Sequence, residues 1–158
     1  EGRLFYLSRL IPVSAWRQVM AKFLFGYSVM ALTMLLMAAM GMLALGIAPS
    51  LALGALALGL LSGVVPLALS MLPDMLRPKL NWNSETEAIK QNVNGFLGML
   101  IGWGYVALAC FICYKAIDGG MDAGALCAVM AAASAMLGAG AVFALCAAAK
   151  RSWRLVEG

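Results

Sequence analysis

"FLFGYSVMALTMLLMAAMGMLALG", residues 23–46, contains no charged side chain and no histidine. A run of this length and character exceeds the roughly 20 apolar residues that carry an α-helix across a bilayer. It is closed by "GIAPS", residues 46–50, in which Pro49 is expected to stop the helix and Ser50 to cap the next one. So short a connection makes the flanking helices antiparallel neighbours.

Working outward, the same reading predicts further spans at 51–72, 93–114 and 123–149. The second holds Pro66, which removes a backbone hydrogen bond and predicts a kink near Ser62 and Gly63; Pro73 and Pro78 are expected to end it. "KAIDGGMD", residues 115–122, makes the turn into the fourth span, and "KRSWR", residues 150–154, ends that span.

Composition agrees with this reading. The 158 residues are 64% hydrophobic and only 11% charged, against about 25% in soluble domains, and the mean hydropathy is +0.93. The expected fold class is therefore all-α: a polytopic membrane protein of four transmembrane helices. Residues 1–22 form an N-terminal amphipathic segment at the cytoplasmic surface, with a helix N-cap at Ser14, and residues 73–92 form a cytoplasmic loop.

Charge supplies the orientation. Arg3, Arg9, Arg17 and Lys22 precede the first span, Arg77, Lys79 and Lys90 lie in the central loop, and Lys150, Arg151 and Arg154 follow the last span. The two short turns hold only Lys115, so both termini and the central loop are expected in the cytoplasm. These basic residues are dispersed along membrane flanks and form no basic helix or aromatic-interleaved patch, which argues against nucleic acid as a partner.

Several enzyme classes lose support. The four spans carry no Asp, Glu, Lys, Arg or His, the residues that proton relays and intramembrane acid catalysis require. No G-x-x-x-x-G-K-[ST] phosphate loop is present, so the chain does not hydrolyse ATP by that route. Cys110, Cys113, Cys127 and Cys146 fall inside spans without histidine or carboxylate companions and read as small apolar residues, not as a disulfide framework or metal site. No cofactor is expected.

The most polar stretch is "PKLNWNSETEAIKQNVNG", residues 78–95. Ser84 and Glu87 have capping-box spacing, which predicts a helix starting in water. Ile89, Val93 and Phe96 then recur at helical spacing while Lys90, Gln91 and Asn94 take other faces, so the helix is amphipathic before it enters the membrane. Gln91, Asn92 and Asn94, with Trp82, Glu87 and Lys90, either hydrate the interface, or line the cytoplasmic mouth of a pathway or contact another subunit.

Gly98 and Gly102 form a G-x-x-x-G pair suited to close helix packing. Met30, Met34 and Met37 make a stripe on the first span that reads as adaptable packing or as a flexible apolar substrate surface. Trp16, Trp82 and Trp153 suit an interfacial aromatic belt.

Two stretches resemble the type 2 ABC exporter permeases, especially the large bacterial ones. "EGRLFYLSRLIPVSAWRQVMAK", residues 1–22, is similar to the family's Glu-Gly-basic, aromatic, Pro-Val/Ile-Ser and lysine pattern, matched by Glu1, Gly2, Arg3, Pro12, Val13, Ser14 and Lys22. The stretch with "PKLNW" and "EAIKQNVNG" resembles the loop before the fifth span of a six-span unit. The resemblance implies that residues 1–22 dock on a separate ABC ATPase subunit. It also implies that the four spans are the third to sixth of a unit whose first two spans, or a second permease half, lie elsewhere. A rival reading is a polytopic anchor or assembly protein that binds partner helices and transports nothing. A membrane-embedded enzyme is the weakest reading, because no histidine or carboxylate pair lies near a span.

Overall fold

A computed structural model describes residues 14–76 and 93–155 of the chain. Among these residues there are four helices, α1 (Ala15–Leu45), α2 (Pro49–Leu76), α3 (Val93–Asp118) and α4 (Ala123–Leu155), and no strand. Each is long and apolar enough to cross a membrane. The shortest has 26 residues, about 39 Å at 1.5 Å per residue against a hydrocarbon core of about 30 Å. The protein is thus an all-helical, multi-pass membrane protein.

Exposure fits lipid as the surrounding solvent. Leu43 is 85% exposed, Met136 77% and Phe143 76%, a surface that water would not tolerate at this density. Hydroxyls on these faces bond to their own helices, as a medium without water requires. Ser28 donates to the Leu24 carbonyl at 2.8 Å and Thr33 to the Val29 carbonyl at 2.9 Å.

The helix ends differ from the proline-based expectation. α1 ends at Gly46, whose φ of 64° is left-handed, and the Ile47 N–H donates to the Gly41 carbonyl at 3.1 Å. Ile47 also lies over Gly41, where a Cβ would sit 3.2 Å from its Cδ1. This is a Schellman closure with its apolar contact, so glycine stops the helix. Pro49 does not stop α1. It opens α2, because a first-turn residue needs no N–H and proline's φ already suits a helix. Ser50 lies inside that helix, and the Ala48 carbonyl accepts from both Leu51 and Ala52 at 3.0 Å.

Nor does Pro73 end α2, which continues to Leu76 with Pro66 and Pro73 both inside it. Each proline costs one rung of the ladder, and packing on three other helices retains the helix. Pro78 lies outside the described residues.

At the α3–α4 turn, Gly120 is left-handed with φ 81°. The Asp122 carboxylate accepts from Gly124 N–H at 2.9 Å and Ala125 N–H at 3.3 Å, capping α4. α1 has no such side-chain cap. Ser14 stands at the N-cap position, but its hydroxyl makes no cap bond, and its carbonyl receives Arg17 N–H at 2.9 Å.

α2 is the hub and packs on α1, α3 and α4. The core joins Val19 and Phe23 of α1, Ala68 of α2, and Ala141, Leu145 and Ala149 of α4. Val19 belongs to the stretch expected to lie on the surface, yet α1 runs unbroken from Ala15 through the span.

The α1–α2 seam repeats every four residues. A Cβ on Gly26 would meet Leu67 at 3.3 Å, one on Gly63 would meet Met30 Sδ at 2.5 Å, and one on Gly59 would meet Met34 Sδ at 3.2 Å. Large thus meets small along matching i±4 ridges. Tyr27 adds a bond across the same seam, its hydroxyl donating to the Leu60 carbonyl at 3.2 Å.

Candidate functional site

An open groove of about 560 Å³ runs along α2. It exists because α3 approaches α2 through glycine. At Gly98 a Cβ would lie 2.8 Å from the Ser70 carbonyl oxygen, so only a residue without a side chain fits there. Gly95 and Gly102, a turn away on either side, also lack side chains and leave the adjoining space unfilled. At Gly102 a Cβ would meet nothing within 4 Å. The G-x-x-x-G pair is therefore divided in use: Gly98 makes the contact and Gly102 lines the opening.

On α2 the groove is lined by Gly63, Pro66 and Ser70. Ser70 is satisfied within its own helix, its hydroxyl donating to the Leu67 carbonyl at 2.9 Å. Met30, seated over Gly63, stands at one end, and Asp74 stands at the other, near the end of α2. Trp103 of α3 contributes a large apolar surface that is 65% exposed. Asp74 is the ionisable side chain of the lining and makes no ion pair among the described residues. An apolar trough with one carboxylate at its interfacial end can bind and orient. Among the described residues no three His, Cys, Asp or Glu side chains gather as metal ligands.

Of the residues expected to contact an ATPase, Glu1, Gly2, Arg3, Pro12 and Val13 lie outside the described residues. Ser14 is exposed at the start of α1, and Lys22 is exposed two turns on, beside the buried Val19 and Phe23. Of the expected mouth, Trp82, Glu87, Lys90, Gln91 and Asn92 lie outside the described residues, as does the Ser84 cap. Asn94 is half-buried in the first turn of α3 and is not part of the groove wall.

The methionine stripe divides in the same way as the glycine pair. Met30 and Met34 fill the α2 glycines, whereas Met37 is 69% exposed. The four cysteines are free thiols, and half-buried Cys146 contacts Met20 Sδ at 3.8 Å in the core.

Sequence reasoning used Gly63 only as a kink position and did not pair it with Gly59, although their four-residue spacing is the same signal as that of Gly98 and Gly102. It also passed over Asp74, the lone acid in "LPDML", residues 72–76, which marks one end of the groove. No protein-family model, curated protein or solved structure matches this chain.

Proposed function

We propose that this chain is the transmembrane permease part of an exporter driven by a separate ABC ATPase, moving a hydrophobic or amphipathic substrate. The observation that supports this reading most is the continuity of α1. The helix begins at Ala15, directly after the segment that resembles an ATPase-docking element, and it buries Val19 and Phe23 against α2 and α4. A displacement imposed before Ser14 would pass through those contacts to the helix that borders the groove. ATP-driven movement of a pore whose helices carry charge only near their ends has to be imposed from outside the bilayer, and a partner binding one state of the ATPase cycle better than another would shift the permease equilibrium accordingly. In this reading both ends of the chain and the central loop are cytoplasmic, on the strength of the basic residues flanking the spans.

Replacing Val13 by Asp tests it. The charge would be buried unpaired at the ATPase contact, at a cost on the order of several kcal/mol, while insertion stays normal because position 13 lies outside the spans. The expected result is a membrane-inserted protein that neither retains nor stimulates its ATPase. Wild-type coupling in this variant, or labelling of a cysteine at position 13 from outside intact cells, would favour the anchor reading instead.

A further inference from the structure

We infer that the α2–α3 groove binds a cationic amphiphile, with its head at Asp74 and its tail running toward Met30 and Trp103. Position in the bilayer supplies the first argument. α2 has 28 residues, about 42 Å against a hydrocarbon core of about 30 Å, so its ends reach the interface; Asp74 lies two residues from one end, whereas Gly63, Pro66 and Gly102 lie nearer the middle of their helices. A polar end at the interface and an apolar remainder in the hydrocarbon is how an amphiphile itself sits in a membrane.

Electrostatics supplies the second. The C-terminal end of a helix carries partial negative charge, α2 has no basic residue in its last turn, and Asp74 adds a carboxylate there. The groove end is therefore suited to a cation and opposed to an anionic head. Size is the third: from Gly63 to Asp74 the helix rises roughly 16 Å, which suits a dodecyl chain, and about 560 Å³ lies in the usual range of small-molecule sites. As the cargo class of the exporter this rests on the permease reading, but binding needs no ATPase, so the two can fail separately.

The test uses the full chain in zwitterionic nanodiscs, with Trp16, Trp82 and Trp153 changed to Phe so that Trp103 alone reports. A dodecyltrimethylammonium brominated in its chain is titrated in, alongside the same chain with zwitterionic and anionic heads. The expected result is saturable quenching, tightest for the cation. Asp74→Asn should weaken the cation roughly two- to fivefold, the range of a partly solvated ion pair, and leave the zwitterion unchanged. Gly102→Leu, which enters open space, should fill the trough and abolish saturation for all three heads. Equal affinity for the three heads overturns the inference, as would follow if Arg77 or Lys79, next in the sequence, already neutralised Asp74. Non-saturable quenching overturns it too, by showing Trp103 in contact with bulk lipid only. So does efficient cross-linking of Gly102→Cys between two copies, which would make the groove a helix interface. Saturable, head-selective binding with no ATPase-dependent transport would retain the site and remove the exporter reading alone.

Discussion

Two regions of the bundle are built on different terms. α1, α2 and α4 share a core in which Phe23, Ala68, Leu145 and Ala149 are nearly inaccessible, and the α1–α2 seam alternates glycine against Met or Leu in register. α3 contributes no residue to that core, and Gly98 is its one buried residue. Its large side chains face outward, Trp103 at 65% and Tyr114 at 64% exposed. In lipid no hydrophobic force drives helices together, so association depends on how closely surfaces fit. Three helices fit by interlocking side chains. The fourth lies on α2 with glycine at its closest approach, Gly98, and the space beside that approach is the groove. Within a single bundle, then, tight packing supplies the frame and the absence of side chains supplies the groove.

The sharpest way to break the comparison is to damage the frame. Leu145→Ala removes a side chain that is 0% exposed, and the cavity should cost about 2 kcal/mol even where lipid offers no transfer penalty. Thermal unfolding in mild detergent would check it; a change within error would mean that α4 is not held by this core.

Next comes the α3 contact. Gly98→Ala puts a Cβ 2.8 Å from the Ser70 carbonyl oxygen, a backbone atom that cannot rotate away. α3 should move outward at a cost of about 1.5 kcal/mol, read as a longer spin-label distance between the α2 and α3 termini. Gly102→Ala should leave that distance unchanged, because its Cβ would meet nothing within 4 Å. Equal effects of the two substitutions would erase the distinction between contact and opening.

The smallest effect separates two helix starts. Asp122→Ala removes a carboxylate that accepts two backbone N–H groups and should cost about 1 kcal/mol. Ser14→Ala removes a hydroxyl that makes no cap bond and should change little. Hydrogen exchange at residues 124–125 and 17–18 distinguishes them, and matching losses at both sites would contradict the assigned caps.

Much of this architecture was legible from residues alone, because a bilayer imposes one rule on every span. Apolar length located all four helices, and α4 begins where the pattern predicts, at Ala123. Boundaries governed by local chemistry were less legible when proline was read only as a breaker. Pro49 starts a helix and Pro73 continues one, since a missing N–H is harmless in the first turn and tolerable where neighbours hold the chain. Asp122 and Gly46, which set two of the ends, are ordinary cap residues whose signal lay in the sequence.

By itself, then, the sequence determined that this is a four-helix, all-α membrane protein with its charged residues kept near helix ends, because an apolar run of span length satisfies its backbone in lipid by forming a helix. Only the tertiary structure decided which of two equivalent glycines makes a contact and which of three methionines is packed. Gly98 and Gly102 share one helix face, as Met30, Met34 and Met37 share another, and periodicity cannot rank members of one face. Their roles depend on what the neighbouring helix presents at each level: the Ser70 backbone at one glycine and open space at the other. That pairing is a property of register and approach between helices, which the pattern within one helix does not contain.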